Sequence, residues 1–385
     1  MNLIPEEMMV KPWNRLGWMA TLALFLLVAR SSALATAPPL DLPESSANAV
    51  FPFSLYRRYG LIDRTGKIVV PPLYDRILCH NQGLLAIQAN TKYLIDGTLQ
   101  EGKWGYMDAS GRVVISPQYE LAGCFRDGLA WVQFGEGQWE GQSAFIDQTG
   151  EIVIPPAADL FGEFSEGLLP RKQGDLWGFI NPQGMFEILP QFQAANGFKE
   201  GLAAVQIKGK WGFIDRQGKL IIPPQFTHVG DFSEGLVAAS LDPEETPPHI
   251  TLGFIDRTGK WVISPRFQGV NACTGATPRF SEGLAAVVVN EQTRYLDRTG
   301  RVQLRLSSFN QEDFADGLIP IQWGEKMGYL NQQGELAIPP RFEVALPFQH
   351  GLAAVSVGDR WGYIDTTGQF VLPPKYDAPE VGEDC

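Results

Sequence analysis

The sequence predicts an all-β protein built as one repeat array, and three observations support this prediction. A phrase with a basic period of 34 residues recurs about nine times along the chain. Every copy contains a turn signal between two short apolar runs, as expected of antiparallel strands. Helical periodicity is absent over any useful length outside the N-terminal segment.

The clearest copy begins at Lys210 as Lys-Trp-Gly-Phe-Ile-Asp-Arg-Gln-Gly-Lys-Leu-Ile-Ile-Pro-Pro-Gln-Phe and continues with Phe-Ser-Glu-Gly-Leu. The copies centre on Gly60, Gly105, Ala144, Gly178, Gly212, Gly253, Arg294, Gly328 and Gly362. Most of the longer intervals come from insertions between a Gly-Leu-Ala segment and the next Trp-Gly. Insertions accumulate where a loop can absorb them, so that hairpin end is the predicted variable surface.

Each copy carries Asp or Asn followed three residues later by Gly. The pairs are Asp63/Gly66, Asp108/Gly111, Asp147/Gly150, Asn181/Gly184, Asp215/Gly218, Asp256/Gly259, Asp297/Gly300, Asn331/Gly334 and Asp365/Gly368. This spacing is typical of a type I turn, and Pro182 fits the second position of such a turn. We interpret the repeated Asp as a turn cap, because calcium needs six to eight oxygens and one Asx per loop supplies too few.

Strands flank this turn in every copy. The Trp-Gly strand precedes it, and a Lys-Leu-Ile-Ile strand follows it until a Pro pair ends the ladder. We expect a third strand in Gly-Leu-Ala-Ala-Val, as at 201–205 and 351–355. One such unit buries too little apolar surface to fold alone, so the repeats must form a single body.

Two architectures fit the repeats. Propellers usually contain four to eight blades of four strands, and nine units of three strands are many and small for that pattern. The sequence therefore favours an open β-meander or solenoid-like array, with a closed β-propeller as the alternative.

The N-terminus resembles a processing signal. Lys11 and Arg15 precede a mostly apolar run over 16–29, and an A-x-A pattern ends at Ala35. At 14 residues the run is short for a membrane span. We expect a signal peptide at 1–35, a flexible leader at 36–49, the array at 50–378 and a tail at 379–385, and hence a secreted or periplasmic protein. An uncleaved anchor is the alternative, and membrane association is expected only in that case.

The chain is acidic, with 31 Lys and Arg against 43 Asp and Glu. A negative surface repels phosphate backbones, so we expect no nucleic-acid partner, and anionic lipids are equally disfavoured.

The recurring phrase resembles the bacterial WG (KWG) repeat family over roughly residues 50–378. The resemblance implies a β-rich array, often exported, with an interaction role and no catalytic motif. The repeat Trp is present at Trp104, Trp177, Trp211 and Trp361, whereas Tyr59, Ser143, Leu252, Thr293 and Met327 occupy the other copies.

The repeated aromatic and Glu positions each suggest a possible chemistry. The repeat aromatics could stack on sugar rings, but replacement of Trp by Leu or Met preserves packing only, so we predict an inter-repeat core. The better candidates for exposed rings are Trp131, Trp139, Trp261 and Trp323. The Glu of Phe-Ser-Glu-Gly, at 164–167, 232–235 and 280–283, recurs too often to be a catalytic acid, and we expect it to face solvent in a turn.

Other chemistry-bearing residues show no site pattern. The histidines His80, His228, His249 and His350 are scattered. Cys79 and Cys124 occupy equivalent repeat positions and are expected to stay unbridged if three strands separate them, whereas Cys273 and Cys385 have no matched position. No catalytic, cofactor-binding or metal-binding residue is predicted, and no cofactor.

The sequence therefore predicts a non-enzymatic binding scaffold of the cell envelope or extracellular space with a protein partner. The alternative is a carbohydrate-binding module for cell-wall or extracellular glycan. Exposure of the aromatic rings distinguishes these two functions, because rings aligned in a groove favour glycan and buried rings favour protein.

Overall fold

The computed structural model describes residues 49–378 apart from 79–82, 94–98, 159, 161, 243–250, 269–276, 290–291 and 307–311. The predicted signal at 1–35, nearly all of the leader at 36–49 and the tail at 379–385 lie outside these residues. Within them the chain is all β, with one 3-10 helix at Gly137–Trp139. The predicted fold class, an all-β repeat array of about nine units, is confirmed.

Nine small groups of antiparallel strands, here called blades, follow one another along the chain. The pairing of Gln268 with Val288 joins the sixth and seventh blades into one sheet. Blades 1 to 3 comprise β1 (Val50–Leu55), β2 (Arg58–Asp63), β3 (Ile68–Tyr74); β4 (Arg76–Leu78), β5 (Leu85–Ala89), β6 (Lys92–Tyr93), β7 (Leu99–Gln100), β8 (Lys103–Met107), β9 (Val113–Tyr119); and β10 (Leu121–Ala122), β11 (Leu129–Gln133), β12 (Ser143–Asp147), β13 (Ile152–Ala157). Blades 4 to 6 comprise β14 (Leu169–Gln173), β15 (Leu176–Ile180), β16 (Phe186–Phe192); β17 (Ala194–Ala195), β18 (Leu202–Ile207), β19 (Lys210–Asp215), β20 (Leu220–Phe226); and β21 (His228–Val229), β22 (Leu236–Ser240), β23 (Thr251–Asp256), β24 (Trp261–Gln268). Blades 7 to 9 comprise β25 (Phe280–Ser281), β26 (Leu284–Val289), β27 (Gln292–Asp297), β28 (Val302–Leu306); β29 (Leu318–Trp323), β30 (Lys326–Asn331), β31 (Leu336–Phe342); and β32 (Leu352–Val357), β33 (Arg360–Asp365), β34 (Phe370–Tyr376).

Blade 5 shows the regular order, in which a short strand, the Gly-Leu-Ala strand, the Trp-Gly strand and the Pro-Pro strand pair in sequence. The Gly-Leu-Ala strand β18 pairs with the Trp-Gly strand that follows it, with Leu202 opposite Asp215. We expected it to be the third strand of the preceding unit, so the predicted unit was offset by one strand. In a repeated antiparallel meander the order of strands is the same whether the Gly-Leu-Ala strand is assigned to the preceding unit or to the following one. The sequence therefore did not distinguish these two assignments.

This offset closes the ring. The first blade takes β1 as its Gly-Leu-Ala strand, and the chain after β34 returns to it: the Asp377 N–H donates to the Ser54 carbonyl at 3.0 Å. The equivalent bond inside the array joins the Gln193 N–H to the Gln206 carbonyl at 2.9 Å. The Phe53 and Tyr376 rings also meet across the junction, with centroids 4.8 Å apart. The molecule is therefore a closed nine-bladed β-propeller, which was the alternative; the open array that the unit size favoured is not formed.

The core lies between blades. The aromatic that follows Trp-Gly meets the Phe of the next blade's Phe-x-Glu-Gly turn edge to face, as in Phe213 and Phe232 at 5.0 Å. The same contact recurs in Tyr106–Phe125, Phe145–Phe164, Phe179–Phe198, Phe254–Phe280, Tyr295–Phe314 and Tyr329–Phe348. The repeat Trp rings pack into the same inter-blade clusters, which confirms the predicted inter-repeat core.

The Gly of Trp-Gly is coupled to the Pro pair. A Cβ on Gly212 would lie 2.5 Å from the Ile222 carbonyl oxygen, because the Pro-Pro strand bulges across it. In the seven blades with Gly, the residues paired beside this bulge are 15 apart in sequence, as in Trp211 and Phe226. The separation is 14 in blade 3, which has Ala144, and 13 in blade 7, which has Arg294 and no Pro pair. A larger residue at this position therefore accompanies a smaller bulge.

Candidate binding surface

The two ends of each blade carry different kinds of connection. Leu202 lies opposite Asp215 at one end of blade 5, beside the Phe-x-Glu-Gly and Asx turns. Ile207 lies opposite Lys210 at the other end, where a hairpin joins the Gly-Leu-Ala strand to the Trp-Gly strand. We call these ends the turn rim and the hairpin rim.

The Asx turns of the turn rim have the predicted geometry. Asp256 Oδ1 accepts hydrogen bonds from the Thr258 hydroxyl at 2.6 Å, the Thr258 N–H at 2.8 Å and the Lys260 N–H at 3.1 Å. The Thr299 hydroxyl, assisted by backbone N–H groups, lowers the pKa of the equivalent Asp297 to about 2. The repeated Asp therefore caps its own turn. Within the described ranges, three His, Cys, Asp or Glu side chains nowhere cluster as a metal site would require.

The Glu of Phe-x-Glu-Gly has a role that the sequence did not reveal. Glu200 accepts a hydrogen bond at 2.9 Å from the N–H of Gly235, which lies in the next blade. The same link joins Asp127 to Gly167, Glu166 to Gly201, Glu234 to Gly283, Glu282 to Gly317 and Asp316 to Gly351. The prediction of a simple solvent-facing turn residue was therefore incomplete, because in these six cases the carboxylate ties one blade to the next along the turn rim, from blade 3 to blade 9.

The hairpin rim is irregular. Blades 1, 4, 5, 8 and 9 have two-residue hairpins. Blade 2 inserts the small β6–β7 hairpin, blade 3 inserts the 3-10 helix, and blade 6 has a longer connection between Ser240 and Thr251. These insertions lie at the hairpin end, as predicted, and make this rim the variable surface.

One of the four predicted exposed tryptophans is exposed. Trp323, at the blade 8 hairpin, is 65% accessible. Trp131 is half-buried, Trp139 packs on Phe134, and Trp261 packs on Phe226. Tyr56 was missed although it is 85% accessible at the tip of the blade 1 hairpin.

Tyr56 also occupies an unusual backbone conformation. Its φ is 53°, that of Arg57 is 60°, and the turn contains no Gly. Bulky residues rarely adopt positive φ, and such strain clusters at functional sites. Two non-Gly residues in a two-residue hairpin are the signal by which the sequence could have revealed this position.

These residues form one arc. Trp323 belongs to blade 8, Val357, which is 41% accessible, to blade 9, and Tyr56 with Arg57 to blade 1. Ring closure makes the three blades consecutive. We call these four residues the aromatic arc. Trp, Tyr and Arg are the residue types that most often dominate protein interfaces.

The family model for a WG containing repeat matches the chain in eight segments. They are residues 59–93, 104–139, 144–177, 177–211, 211–242, 253–292, 327–361 and 361–378. The chain belongs to the WG-repeat family. The interval 293–326, which lies between two of these matches, contains Arg294 and β28, the strand of blade 7 that lacks the Pro pair.

Solved structures match this WG-repeat protein, and the first one below resembles it in fold. The crystal structure of the eukaryotic initiation factor matches with a TM-score of 0.56 and 12% identity, covering 86% of this chain and 96% of that chain. Kluyveromyces lactis Hsv2 matches with a TM-score of 0.34 and 14% identity over 75% of this chain and 94% of that one. The dihydro-heme d1 dehydrogenase NirN matches with a TM-score of 0.39 and 13% identity over 90% and 77%. No curated protein matches the sequence.

The remaining candidate residues of the WG-repeat protein are dispersed. His228 is half-buried, His350 lies in a blade 9 turn, and His80 and His249 lie outside the described residues. Cys124 is disulfide-bonded. The prediction for the Cys79–Cys124 pair involves Cys79, which lies outside the described residues, as do Cys273 and Cys385. The described part of the chain contains no helix with the length and apolarity of a membrane span.

Proposed function

We propose that this WG-repeat protein is a non-enzymatic binding scaffold of the cell envelope or extracellular space, and that it binds a protein partner through its hairpin rim. The aromatic arc is the observation that carries this proposal. Exposed Trp323 on blade 8 and exposed Tyr56 and Arg57 on blade 1, with Val357 on the blade between them, provide large contact residues on a rigid ring.

Burial of the repeat aromatics favours protein over glycan. Trp104 is only 4% accessible, and Trp177, Trp211 and Trp361 are partly buried between blades. The two exposed rings, Trp323 and Tyr56, stand on separate blades with Val357 on the blade between them. Glycan binding through aligned aromatic platforms receives less support from this arrangement.

The recurring carboxylates support a non-catalytic role. Asp256 and its equivalents accept hydrogen bonds within their own turns, and Glu200 and its equivalents accept them from the next blade. A general acid needs a paired group and a proton to transfer, whereas these carboxylates serve as turn and blade ties. The apolar N-terminal segment ending at Ala35 supports export.

Capture from a cell-envelope extract tests the proposal. The wild-type protein, an arc variant with Tyr56→Ser and Trp323→Ser, and a Leu241→Ser control are immobilised in parallel. Leu241 is 48% accessible and follows β22 on the hairpin rim of blade 6, so it controls for loss of exposed apolar surface. All three are first checked for equal unfolding midpoints.

We expect one protein to be retained by the wild type and the Leu241 control and lost from the arc variant, because truncating a central aromatic commonly weakens an interface by about 2 kcal/mol or more. A partner retained equally by all three proteins would contradict the proposal that the aromatic arc is the binding surface. Binding to insoluble wall polysaccharide with no protein recovered would favour the glycan alternative.

A further inference from the structure

The turn rim of blades 5, 6 and 7 carries three arginines at equivalent positions. Arg216, Arg257 and Arg298 each follow the capping Asp of an Asx turn, and all three side chains are exposed. No other run of consecutive blades has a cation at this position. The remaining blades carry Arg64, Ala109, Gln148, Pro182, Gln332 and Thr366 there. We call Arg216, Arg257 and Arg298 the arginine row.

Each guanidinium of the row lies against the Phe-x-Glu-Gly turn of the preceding blade. A Cβ built on Gly167 in blade 4 would lie 3.2 Å from Arg216 Nη2 in blade 5. The corresponding distance is 3.5 Å in the two other contacts, Gly201–Arg257 and Gly235–Arg298. Because the same contact repeats from blade to blade, the three guanidiniums occupy equivalent positions along the turn rim.

The arginine row has no partner among the described residues. The three guanidiniums form neither an ion pair nor a hydrogen bond with that part of the chain. By contrast Gln332, at the same position of blade 8, donates from Nε2 to the Glu282 carbonyl at 3.3 Å and to Glu282 Oε2 at 3.2 Å. The row therefore leaves its donors, five on each guanidinium, available to an external acceptor.

A second cation accompanies each arginine of the row. The residue after the Gly of the same turn is Lys219 in blade 5, Lys260 in blade 6 and Arg301 in blade 7, and all three are exposed. The two blades on either side carry no cation at these two positions. Their residues are Gln148/Glu151, Pro182/Met185, Gln332/Glu335 and Thr366/Gln369. Positive charge in the Asx turns is therefore concentrated on blades 5 to 7.

Carboxylates share this part of the rim, but most of them are half-buried and accept backbone hydrogen bonds. The caps of the three turns accept N–H groups of their own turns; they are Asp215, Asp256 and Asp297. The carboxylates next to the glycines that the arginines contact accept an N–H from the following blade; they are Glu166, Glu200 and Glu234. The distant charges of the chain, whose formal net charge is −12, are screened beyond a Debye length of about 8–10 Å.

Two carboxylates of these blades are exposed, and each has neighbours of its own. Glu282 accepts the hydrogen bond from Gln332 described above. Burial raises the pKa of Asp231, and the positive charges of Lys199 and Arg279 oppose that shift. Neither carboxylate pairs with the arginine row, which therefore remains the unmatched charge of this surface.

Apolar side chains lie beside the same cations. Leu220 and Ile221 directly follow Lys219 and are 41% and 38% accessible, and Val262, two residues after Lys260, is 42% accessible. Within the described residues of blades 5 to 7, the large apolar side chains that are exposed are all aliphatic. Such side chains pack against aliphatic residues of a peptide but offer no flat ring on which a sugar could stack.

We propose that the arginine row binds an acidic polypeptide segment with apolar residues between its carboxylates. Arg216, Arg257 and Arg298 pair with successive carboxylates of the segment, because a guanidinium can offer two parallel N–H donors to one carboxylate. The apolar residues of the segment pack against Leu220 and Val262. The arginine row is on the turn rim and the aromatic arc is on the hairpin rim, so this proposal does not depend on the arc.

Fluorescence anisotropy with the full-length protein tests the arginine row. The probe is a fluorescein-labelled peptide of three Glu-Leu-Asp-Ser repeats, and its neutral counterpart has Gln and Asn in place of Glu and Asp. Unlabelled peptide and an oligomer of galacturonic acid serve as competitors.

The test variant combines Arg216→Gln, Arg257→Gln and Arg298→Gln, and Gln is the natural residue at this position in blades 3 and 8. The matched control removes three exposed lysines near the hairpin rim and combines Lys92→Gln, Lys172→Gln and Lys208→Gln. Both variants therefore lose the same formal charge. Thermal unfolding checks that each is folded, and we expect midpoints close to that of the wild type.

We expect saturable binding of the acidic peptide and none of the neutral one. The triple arginine variant should weaken binding about tenfold or more, because three charged donor groups are lost, whereas the lysine control should bind like the wild type. Arg257→Gln alone removes the centre of the row and should weaken binding about threefold, as expected for one exposed ion pair. The arc variant with Tyr56→Ser and Trp323→Ser should bind the peptide normally, which separates this test from that of the proposed function.

Four results would overturn the proposal. They are the absence of saturable binding, equal weakening by the lysine control, and undiminished binding to the folded triple variant or, if that variant is unfolded, to Arg257→Gln. The fourth is displacement of the probe by galacturonate at lower concentrations than by unlabelled peptide, which would identify an acidic glycan as the better ligand.

Discussion

Blades 4 and 5 share a frame and differ in their interior. Both have a turn-rim carboxylate, Glu166 or Glu200, that bonds to a glycine N–H of the next blade. Opposite the Trp-Gly glycine, however, blade 5 buries Val205 completely, whereas blade 4 places Arg171 beside a cavity. The turns and the coupling of the Trp-Gly glycine to the Pro pair therefore determine the backbone structure of a blade. The inward-facing residues of the Gly-Leu-Ala strand can vary where the neighbouring blade does not pack closely against them.

Transplanting the arginine gives the largest expected effect. Val205→Arg would bury a charge in a filled inter-blade cluster, and we expect it to lower the unfolding free energy by about 3 kcal/mol or more. The reverse change, Arg171→Val, replaces a side chain that is only half-buried and should cost clearly less. Urea denaturation of the two variants measures both effects, and equal destabilisation would show that the two interiors are equivalent.

A second variant tests the coupling of glycine to the bulge. Gly212→Ala places a methyl group against the Ile222 carbonyl, and the blade 3 precedent with Ala144 has its Pro-Pro strand paired one residue earlier. In blade 3 the shift displaces only Ala158, the small counterpart of Phe226. In blade 5 the same shift would displace Phe226 itself, which is 1% accessible.

We therefore expect Gly212→Ala to destabilise by about 2–4 kcal/mol, comparable with other backbone and core disruptions. In urea denaturation, Phe226→Ala combined with Gly212→Ala should cost clearly less than the sum of the two single changes. Strict additivity would mean that the bulge and the aromatic are independent.

Local turn chemistry made much of this fold predictable. The Asx-x-x-Gly spacing identified all nine turns, and the Leu252 and Met327 substitutions indicated that the repeat Trp serves packing. Ring closure was not predictable, because it depends on pairing between Asp377 and Ser54 at opposite ends of the chain. A propeller and an open array require the same local strands and turns.

The candidate sites were less accessible to sequence reasoning than the fold. The tie between Glu200 and Gly235 joins residues of different blades, which the repeat pattern does not place together. The arginine row could be read from the sequence, but the contact of each guanidinium with the preceding blade could not. The arc likewise depends on closure, which brings blades 8, 9 and 1 together.

The carboxylate–glycine hydrogen bonds that join one blade to the next should contribute equally to stability in blades 4 and 5. Glu166→Ala and Glu200→Ala each leave one glycine N–H without its carboxylate, and we expect each to lower the unfolding free energy by about 1–2 kcal/mol. Glu→Gln at either position keeps a carbonyl acceptor and should cost less. A much larger loss in blade 5 than in blade 4 would show that the turn rim, too, differs between them.

Acid sensitivity gives the smallest expected effect. Blade 4 carries Asn181 in its Asx turn, whereas blade 7 carries Asp297, whose pKa the Thr299 hydroxyl lowers from 3.8 to about 2. A carboxyl with a lowered pKa in the folded protein stabilises it above the ordinary pKa, and this contribution is lost as the pH falls from about 4 towards 2.

Asp297→Asn should therefore make unfolding less dependent on pH in this window, and Asn181→Asp should make it more dependent. Each change should amount to a few tenths of a kcal/mol, because these turns are largely solvated. Unfolding midpoints in urea, measured from pH 5 to pH 2, would show both slopes. If Asn181→Asp left the loss of stability below pH 4 unchanged, the blade 4 turn would not stabilise a carboxylate as the blade 7 turn does. The two turns would then share their backbone conformation but not their side-chain hydrogen bonding.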